Sequence, residues 1–220
     1  MRKNFAIIDT ETLGGAKDKR VSTYDFSAVA YDRQGNWKDS LNILILEHLV
    51  LDTAYYGKFK KEFYKELLRK PSTTICYTED EALEVIENWF DDNDITTICA
   101  HNSAFDFEKT FFSEIAHDYE IIDTWLAFAQ TIGQTKRYNN FCVENDYVTK
   151  TGNIQMTAEI CYRYISGDNE FVEQHTAFAD ASIEAEILFA VFATHKKFAR
   201  NCHMGTPAGY PRMAIKARAK

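Results

Sequence analysis

The sequence predicts an α/β domain whose mixed central sheet is flanked by helices. Residues 5–46 contain three apolar or alternating segments separated by polar loops, which is typical of an antiparallel meander. After residue 78, short β-branched runs alternate with amphipathic segments. Because this alternation adds parallel strands to a sheet, we expect the meander to be followed by parallel strands.

Each segment is predicted from its local pattern. In the meander, an apolar run at 5–8 leads into Asp9, segments 21–31 and 37–46 form the second and third strands, and a turn at 32–36 joins these two. Later strands are predicted at 96–100 and 121–124. A Thr-x-x-Glu capping pattern predicts a helix that begins at Thr78. Further helices are predicted at 47–71, from about 104 to 115, and at 125–132, 156–165 and 178–198. Segment 133–153 is predicted to be irregular.

Composition limits the classes of protein. The chain of 220 residues has a net charge of −8, which argues against a protein that coats nucleic acid non-specifically. From Lys196 onward it carries seven basic residues and no acid. We expect one domain at 1–198 and a basic tail at 199–220, which is either an arm for a phosphate backbone or a solvated terminus. The five cysteines form no Cys-x-x-Cys pair, and no membrane span or signal peptide is predicted, so a cytoplasmic protein is expected.

Two acids stand at the end of the first predicted strand. Side chains alternate along a strand, so Asp9 and Glu11 point to the same face. Neighbouring carboxylates repel each other unless a positive group lies between them, and Mg²⁺ prefers such oxygen ligands. Taken alone, this pattern is also that of a strand ending in a polar turn.

A third acid, Asp106, follows the strand at 96–100, where open α/β sheets bind their ligands. Asn102 and Phe105 precede it and offer a hydrogen-bonding amide and a stacking surface. The alternative is that Asp106 simply caps a helix.

His175 and Asp180 stand at the start of the last helix. Asp180 precedes Ile183 and Ile187 by three and seven residues, so it is predicted to share their buried face. His175 has a side chain whose ordinary pKa suits a general base. A helix-capping acid and a surface histidine are the alternative. Glu184, one turn after Asp180, is a residue that could be mistaken for a ligand.

The order of these motifs resembles that of the DEDDh group of 3′–5′ exonucleases, the DnaQ-like family of the ribonuclease H-like superfamily. The resemblance covers residues 5–198 and rests on Asp-x-Glu after a strand, His-Asn-x-x-Phe-Asp after another, and His-x₄-Asp at the last helix. It implies a ribonuclease H-like mixed sheet and a nuclease that releases 5′-mononucleotides from single-stranded 3′ ends of DNA or RNA.

The resemblance also implies residue roles. Two divalent cations, Mg²⁺ with Mn²⁺ as a substitute, would be held by Asp9, Glu11, Asp106 and Asp180, with His175 as the general base. Thr10, Thr12 and Leu13 would line the pocket of the terminal nucleotide. Asn102 and Phe105 would contact the next part of the strand.

Several alternatives stay open from the sequence. The chain could be a non-catalytic module that binds nucleic-acid ends, or a phosphodiesterase for short oligonucleotides or small nucleotides. The family pattern after Glu11 is Thr-Thr-Gly, whereas this chain has Thr12-Leu13-Gly14-Gly15. The sequence does not decide between DNA and RNA, nor whether the chain forms a homodimer or joins a replication or repair partner. The compact layout resembles that of small exonucleases of bacterial or phage type, which implies a bacterial or phage-infected cell.

Overall fold

A computed structural model describes residues 4–15, 17–49, 61–200 and 215–218. Within these ranges the strands form one six-stranded sheet. They are β1 (Asn4–Leu13), β2 (Ser22–Tyr31), β3 (Trp37–Ile45), β4 (Thr74–Cys76), β5 (Ile95–Ala100) and β6 (Glu120–Asp123). The order across the sheet is β4-β3-β2-β1-β5-β6. No helix in the described ranges is long and apolar enough to cross a membrane.

The sheet is mixed, as predicted. Strands β1, β2 and β3 form an antiparallel meander, whereas β4, β5 and β6 pair in parallel with β3, β1 and β5. On the antiparallel side, Asp9 lies opposite Ser27 and Glu11 opposite Asp25, and the register shifts after Glu11. Strand β4 was not predicted, because three residues at the sheet edge are too few to give a periodic signal.

Eight α-helices lie within the described ranges. They are α1 (Leu46–Leu49), α2 (Lys61–Leu67), α3 (Glu79–Asp92), α4 (Ala104–Lys109), α5 (Thr124–Phe128), α6 (Lys136–Glu144), α7 (Ala158–Ser166) and α8 (Ala177–Ala193). Two 3₁₀ turns (Phe111–Glu114 and Ala116–Asp118) follow α4, and a π-helical turn (Ala129–Gly133) follows α5. The predicted start of α3 is confirmed, since Thr78 accepts a hydrogen bond from the amide of Glu81.

Three predicted segments were wrong. The helix predicted to reach residue 115 ends at Lys109, because Thr110 is extended and its hydroxyl accepts the amide of Phe112 to begin a 3₁₀ turn. The segment predicted as irregular at 133–153 contains α6, which Thr135 caps by accepting the amide of Tyr138. The last helix ends at Ala193 and not at 198.

Two further predictions fall partly on residues that are not described. The helix predicted at 47–71 corresponds to α1 and α2, and residues 50–60 lie outside the described ranges. Of the predicted tail, residues 201–214 and 219–220 also lie outside them. Residues 215–218 lie against the domain, where Asn139 donates a hydrogen bond to the carbonyl of Lys216 and Ile215 packs on the core.

Helices cover both faces of the sheet and thereby form two cores. On one face, Ile7 and Val29 pack with Ile187 and Val191 of α8. On the other, Ala6 and Ile8 belong to the cluster that contains Ile86 and Phe90 of α3. Because β1 is covered on both faces, its four apolar residues from Phe5 to Ile8 are all buried, as predicted for a central strand.

Candidate active site

Three carboxylates meet where β1 passes beneath the start of α8. Carboxylate oxygens of Asp9, Glu11 and Asp180 all lie within 4.8 Å of one another. Asp9 and Glu11 reach the same face because side chains alternate along β1. Asp180 lies in the first turn of α8, with its side chain buried on the face that it shares with Ile183 and Ile187, as predicted.

A buried carboxylate holds the start of α8 against the sheet. Asp25, opposite Glu11 on β2, accepts a hydrogen bond from the amide of Ala177 at 3.3 Å. It also accepts one from the hydroxyl of Tyr64 on α2 at 3.0 Å. These contacts fix the helix end that carries Asp180, so the position of Asp180 depends on β2 and α2 as well as on α8.

Asp106 lies beside this cluster and is joined to β1. Its carboxylate accepts a 2.5 Å hydrogen bond from the hydroxyl of Thr10. Ser103 occupies the cap position of α4, and Asp106 lies within the first turn, so Asp106 is not a helix cap. Its charge reaches the cluster, because repulsion from Asp106 is one of the causes that raise the pKa of Asp9.

The acids perturb one another strongly because they are buried. Burial is the largest cause that raises the pKa of Asp9 well above its ordinary value, and repulsion from Glu184, Asp106, Asp180 and Glu11 raises it further. Burial also raises the pKa of Asp106 to about 7, although the hydrogen bond from Thr10 acts in the opposite direction and lowers this pKa. A site of this kind favours binding either protons or cations.

Glu184 belongs to the same electrostatic group, although it was predicted not to be a ligand. Its residue is 3% exposed, and its Oε2 accepts the backbone amide of His101 at 2.9 Å. Burial is the main cause that raises its pKa, followed by repulsion from Asp106. The signal that could have found it is its spacing: it lies four residues after Asp180, next to Ile183, on the buried face of α8.

His175 lies at the solvent edge of the cluster. Its Nδ1 is 4.0 Å from Oδ2 of Asp180 and 3.6 Å from Oε2 of Glu173. One possible ligand atom from each of Glu173, His175 and Asp180 lies within 4.8 Å of the other two, so these residues form a second group. Glu173 was not predicted, because nothing in the sequence indicates that the loop before α8 folds back toward Asp180.

The five predicted substrate residues are placed at the end of β1 and the start of α4. Thr10 and Thr12 are buried, and Leu13 packs beside Tyr24 and Tyr64. Asn102 is exposed with a φ of +66°, and its carbonyl accepts the amide of Phe105, which is half-buried. Their roles toward a substrate stay predictions.

The donor set fits a hard divalent cation. Asp9, Glu11 and Asp180 offer only oxygen atoms, which Mg²⁺ and Mn²⁺ prefer. A cation among them would also offset the repulsion that raises the pKa of Asp9.

The sequence matches no protein-family model and no curated protein sequence. Its structure is similar to that of a full-length 3′-exonuclease, with a TM-score of 0.62, 10% identity, and 98% of this chain and 96% of that chain covered. It is also similar to cell-death related nuclease 4 (CRN-4), with a TM-score of 0.48, 15% identity, and 93% of this chain and 70% of that chain covered. A third similar structure is that of E. coli Exonuclease I in complex with a dA16 oligonucleotide, with a TM-score of 0.46, 14% identity, and 89% of this chain and 41% of that chain covered.

The 3′-exonuclease and this chain superimpose over nearly their whole lengths, so their likeness concerns the complete fold. The mixed sheet, with its antiparallel meander, parallel strands and flanking helices, agrees with it. The architecture that the motifs predicted is thus confirmed: the chain has the fold of this 3′-exonuclease, with a mixed sheet flanked by helices.

Proposed function

We propose that the protein is a metal-dependent 3′–5′ exonuclease of the DEDDh type that acts on single-stranded ends. It would hydrolyse the terminal phosphodiester, release a 5′-mononucleotide and leave a shortened strand with a free 3′ hydroxyl. The observation that carries this proposal is the convergence of Asp9, Glu11 and Asp180 within 4.8 Å, beside the exposed imidazole of His175.

Asp9, Glu11, Asp106 and Asp180 would hold two divalent cations, with Mg²⁺ as the expected ion and Mn²⁺ as a substitute. Two such cations, when bound, stabilise the attacking and leaving oxygens of an in-line phosphoryl displacement. The chain's own contribution is the arrangement of the carboxylates. β1 and α8 bring three of them together, and the hydroxyl of Thr10 orients the fourth.

His175 would take the proton from the attacking water. Its Nδ1 faces the carboxylates of Glu173 and Asp180, so a proton on Nδ1 is stabilised there. In that tautomer Nε2 carries the lone pair that accepts the proton. The carboxylates then stabilise the imidazolium ion that forms, in the same way as an orienting acid beside any catalytic histidine.

The part of the strand next to the terminal nucleotide would be bound on the β5 side of the cluster. Asn102 is exposed and Phe105 half-buried at the start of α4, so an amide and an aromatic ring are available to a nucleotide there. Thr10, Thr12 and Leu13, all in β1, would line the pocket of the terminal nucleotide.

The test is digestion of 5′-labelled single-stranded DNA and RNA in Mg²⁺ or Mn²⁺. We expect a ladder that shortens stepwise from the 3′ end, with 5′-mononucleotides as products. Asp9→Asn and added chelator should abolish it. Asp118→Asn is the matched control, because Asp118 is exposed in a 3₁₀ turn outside the cluster. Undiminished digestion by Asp9→Asn, or in excess chelator, would overturn the proposal.

A further inference from the structure

The loop that joins α7 to α8 carries His175, the proposed general base. It spans residues 167–176, and His175 has a φ of +52°, in the left-handed region that residues other than glycine rarely adopt. Such a conformation costs free energy and persists only where the surrounding structure holds it. On the side of α8, the backbone is held by the hydrogen bond from the amide of Ala177 to Asp25.

Two side chains of α7 hold the backbone on the other side of His175. Nε of Arg163 donates a hydrogen bond of 2.8 Å to the carbonyl of Phe171. Oε2 of Glu159 accepts a hydrogen bond of 2.9 Å from the amide of Glu173. These two backbone groups lie four and two residues before His175, so the loop is fixed immediately before its left-handed residue.

Arg163 and Glu159 also hold each other in place. Nη2 of Arg163 lies 2.9 Å from Oε1 of Glu159, which stands one turn earlier on α7. Nη1 of Arg163 donates a hydrogen bond of 2.7 Å to the hydroxyl of Tyr147, so all three nitrogens of the guanidinium group face an acceptor. A lysine, with its single nitrogen, does not reproduce this geometry.

The loop that is held in this way brings His175 to the edge of the acid cluster. Its Nδ1 lies 3.6 Å from the carboxylate of Glu173 and 4.0 Å from that of Asp180. Arg163 and Glu159 make their contacts with the loop backbone at residues 171 and 173. Any effect that they have on the reaction would therefore pass through the position of His175.

We propose that Arg163 and Glu159 are positioning residues, which hold the loop before α8 so that His175 faces Asp180. The inference rests on the proposed exonuclease function, in which His175 takes the proton from the attacking water. It adds that the position of this base depends on α7, a helix that carries none of the predicted site residues.

A double-mutant cycle with Arg163→Met and His175→Ala tests this role. Because a misplacement of about 1 Å can cost about 10²-fold in rate, Arg163→Met should lower kcat on a single strand about 10- to 100-fold, with KM unchanged. In the His175→Ala protein, the same substitution should lower kcat by less than about twofold, because the base that Arg163 positions is already absent. Arg33→Met is the matched control, since Arg33 is exposed in the turn between β2 and β3.

Two substitutions of Glu159 test its contact with the loop. Glu159→Gln keeps an oxygen that can accept the amide of Glu173, whereas Glu159→Ala removes this contact and the partner of Arg163. The kcat of Glu159→Gln should therefore lie between that of the wild type and that of Glu159→Ala. A Glu159→Ala protein with the kcat of the wild type would overturn the role of this residue.

Amide hydrogen exchange tests the anchoring of the loop without any substrate. In Arg163→Met, the amides of residues 171–176 should exchange about tenfold faster than in the wild type, as expected when a hydrogen bond to a charged group is lost. The amides of residues 183–191, in the buried part of α8, should exchange as in the wild type, which establishes that the variant is folded.

Three outcomes would overturn the proposal in different ways. Equal exchange of the loop amides in Arg163→Met and the wild type would show that α7 does not hold the loop. A loss of kcat that is equally large in the His175→Ala protein would show that the effect does not pass through His175. A wild type that digests neither DNA nor RNA would overturn the proposed function and the catalytic part of this inference, whereas the exchange measurement would decide the anchoring on its own.

Discussion

Nδ1 of His175 lies 4.0 Å from Oδ2 of Asp180, although the side chain of His175 is 62% exposed and that of Asp180 only 9%. The two residues thus stand on either side of the boundary between solvent and the buried acid cluster. His175 is therefore expected to contribute little to the packing of the protein, whereas Asp180 is one of the buried residues of α8. It also gives water a short path to the carboxylates.

His175→Ala should therefore lower kcat with little effect on folding. A positioned general base contributes about 10²- to 10⁴-fold to rate, and we expect a loss in that range. The measurement is kcat on a single strand, together with thermal unfolding in chelator. His117→Ala is the control, because His117 is equally exposed but lies in a 3₁₀ turn. A variant that keeps its full kcat would contradict the role given to His175.

The metal-free protein should lose stability as pH rises from about 4 to above 7. Burial raises the pKa of Asp106 to about 7 and that of Asp9 well above its ordinary value, whereas both are near 4 in an unfolded chain. Between these values the folded state binds more protons than the unfolded state, so raising the pH favours unfolding.

The measurement is the Tm in chelator at pH 5.5 and at pH 8. We expect the lower value at pH 8, and we expect saturating Mg²⁺ to raise the Tm more at pH 8 than at pH 5.5, because the ion competes with protons for the carboxylates. A Tm in chelator that is higher at pH 8 would show that these acids do not govern the pH dependence.

Thr10→Val tests the hydrogen bond that orients Asp106. Valine keeps the shape of the side chain but removes the hydroxyl that donates to the carboxylate at 2.5 Å. Because a hydrogen bond to a charged group contributes about 1.5–3 kcal/mol, the Mg²⁺ concentration for half-maximal activity should rise about tenfold or more. Thr194→Val, at the far end of α8, is the control. An unchanged Mg²⁺ requirement would mean that the orientation of Asp106 does not depend on Thr10.

Glu184 offers a charge-specific test of the cluster. Glu184→Gln keeps an acceptor for the amide of His101 but removes a buried negative charge that raises the pKa of Asp9. In chelator at pH 8, its Tm should rise by a few degrees, at about 2–4 °C per kcal/mol for a chain of this size. Glu184→Leu removes the acceptor as well, and its Tm should fall below that of Glu184→Gln. If both variants lower the Tm equally, the charge of Glu184 is not a source of strain.

The parts of the fold that periodicity encodes were predictable. The apolar run before Asp9 and the spacing of Asp180, Ile183 and Ile187 each identify a buried face, and the structure places them as expected. Helix α6 was missed because buried polar Asn139 lies among its buried residues and weakens the apolar pattern. Strand β4 is too short to be periodic, and its pairing with β3 is a tertiary effect.

The candidate site was predictable only where an acid stands at the end of an apolar run in a strand or in the first turn of a helix. Asp9, Glu11 and Asp180 were identified in this way, and the structure brings them together. Glu184 was set aside, because the sequence gives the face of α8 but not what that face meets.

The acid cluster is proposed to remove nucleotides from a free 3′ end. The most direct measurement is the incubation of linear and circular single strands of the same sequence with the protein and Mg²⁺. We expect the linear strand to shorten stepwise from its 3′ end while the circle stays intact. Cleavage of the circle, or a linear strand that stays at full length, would contradict it.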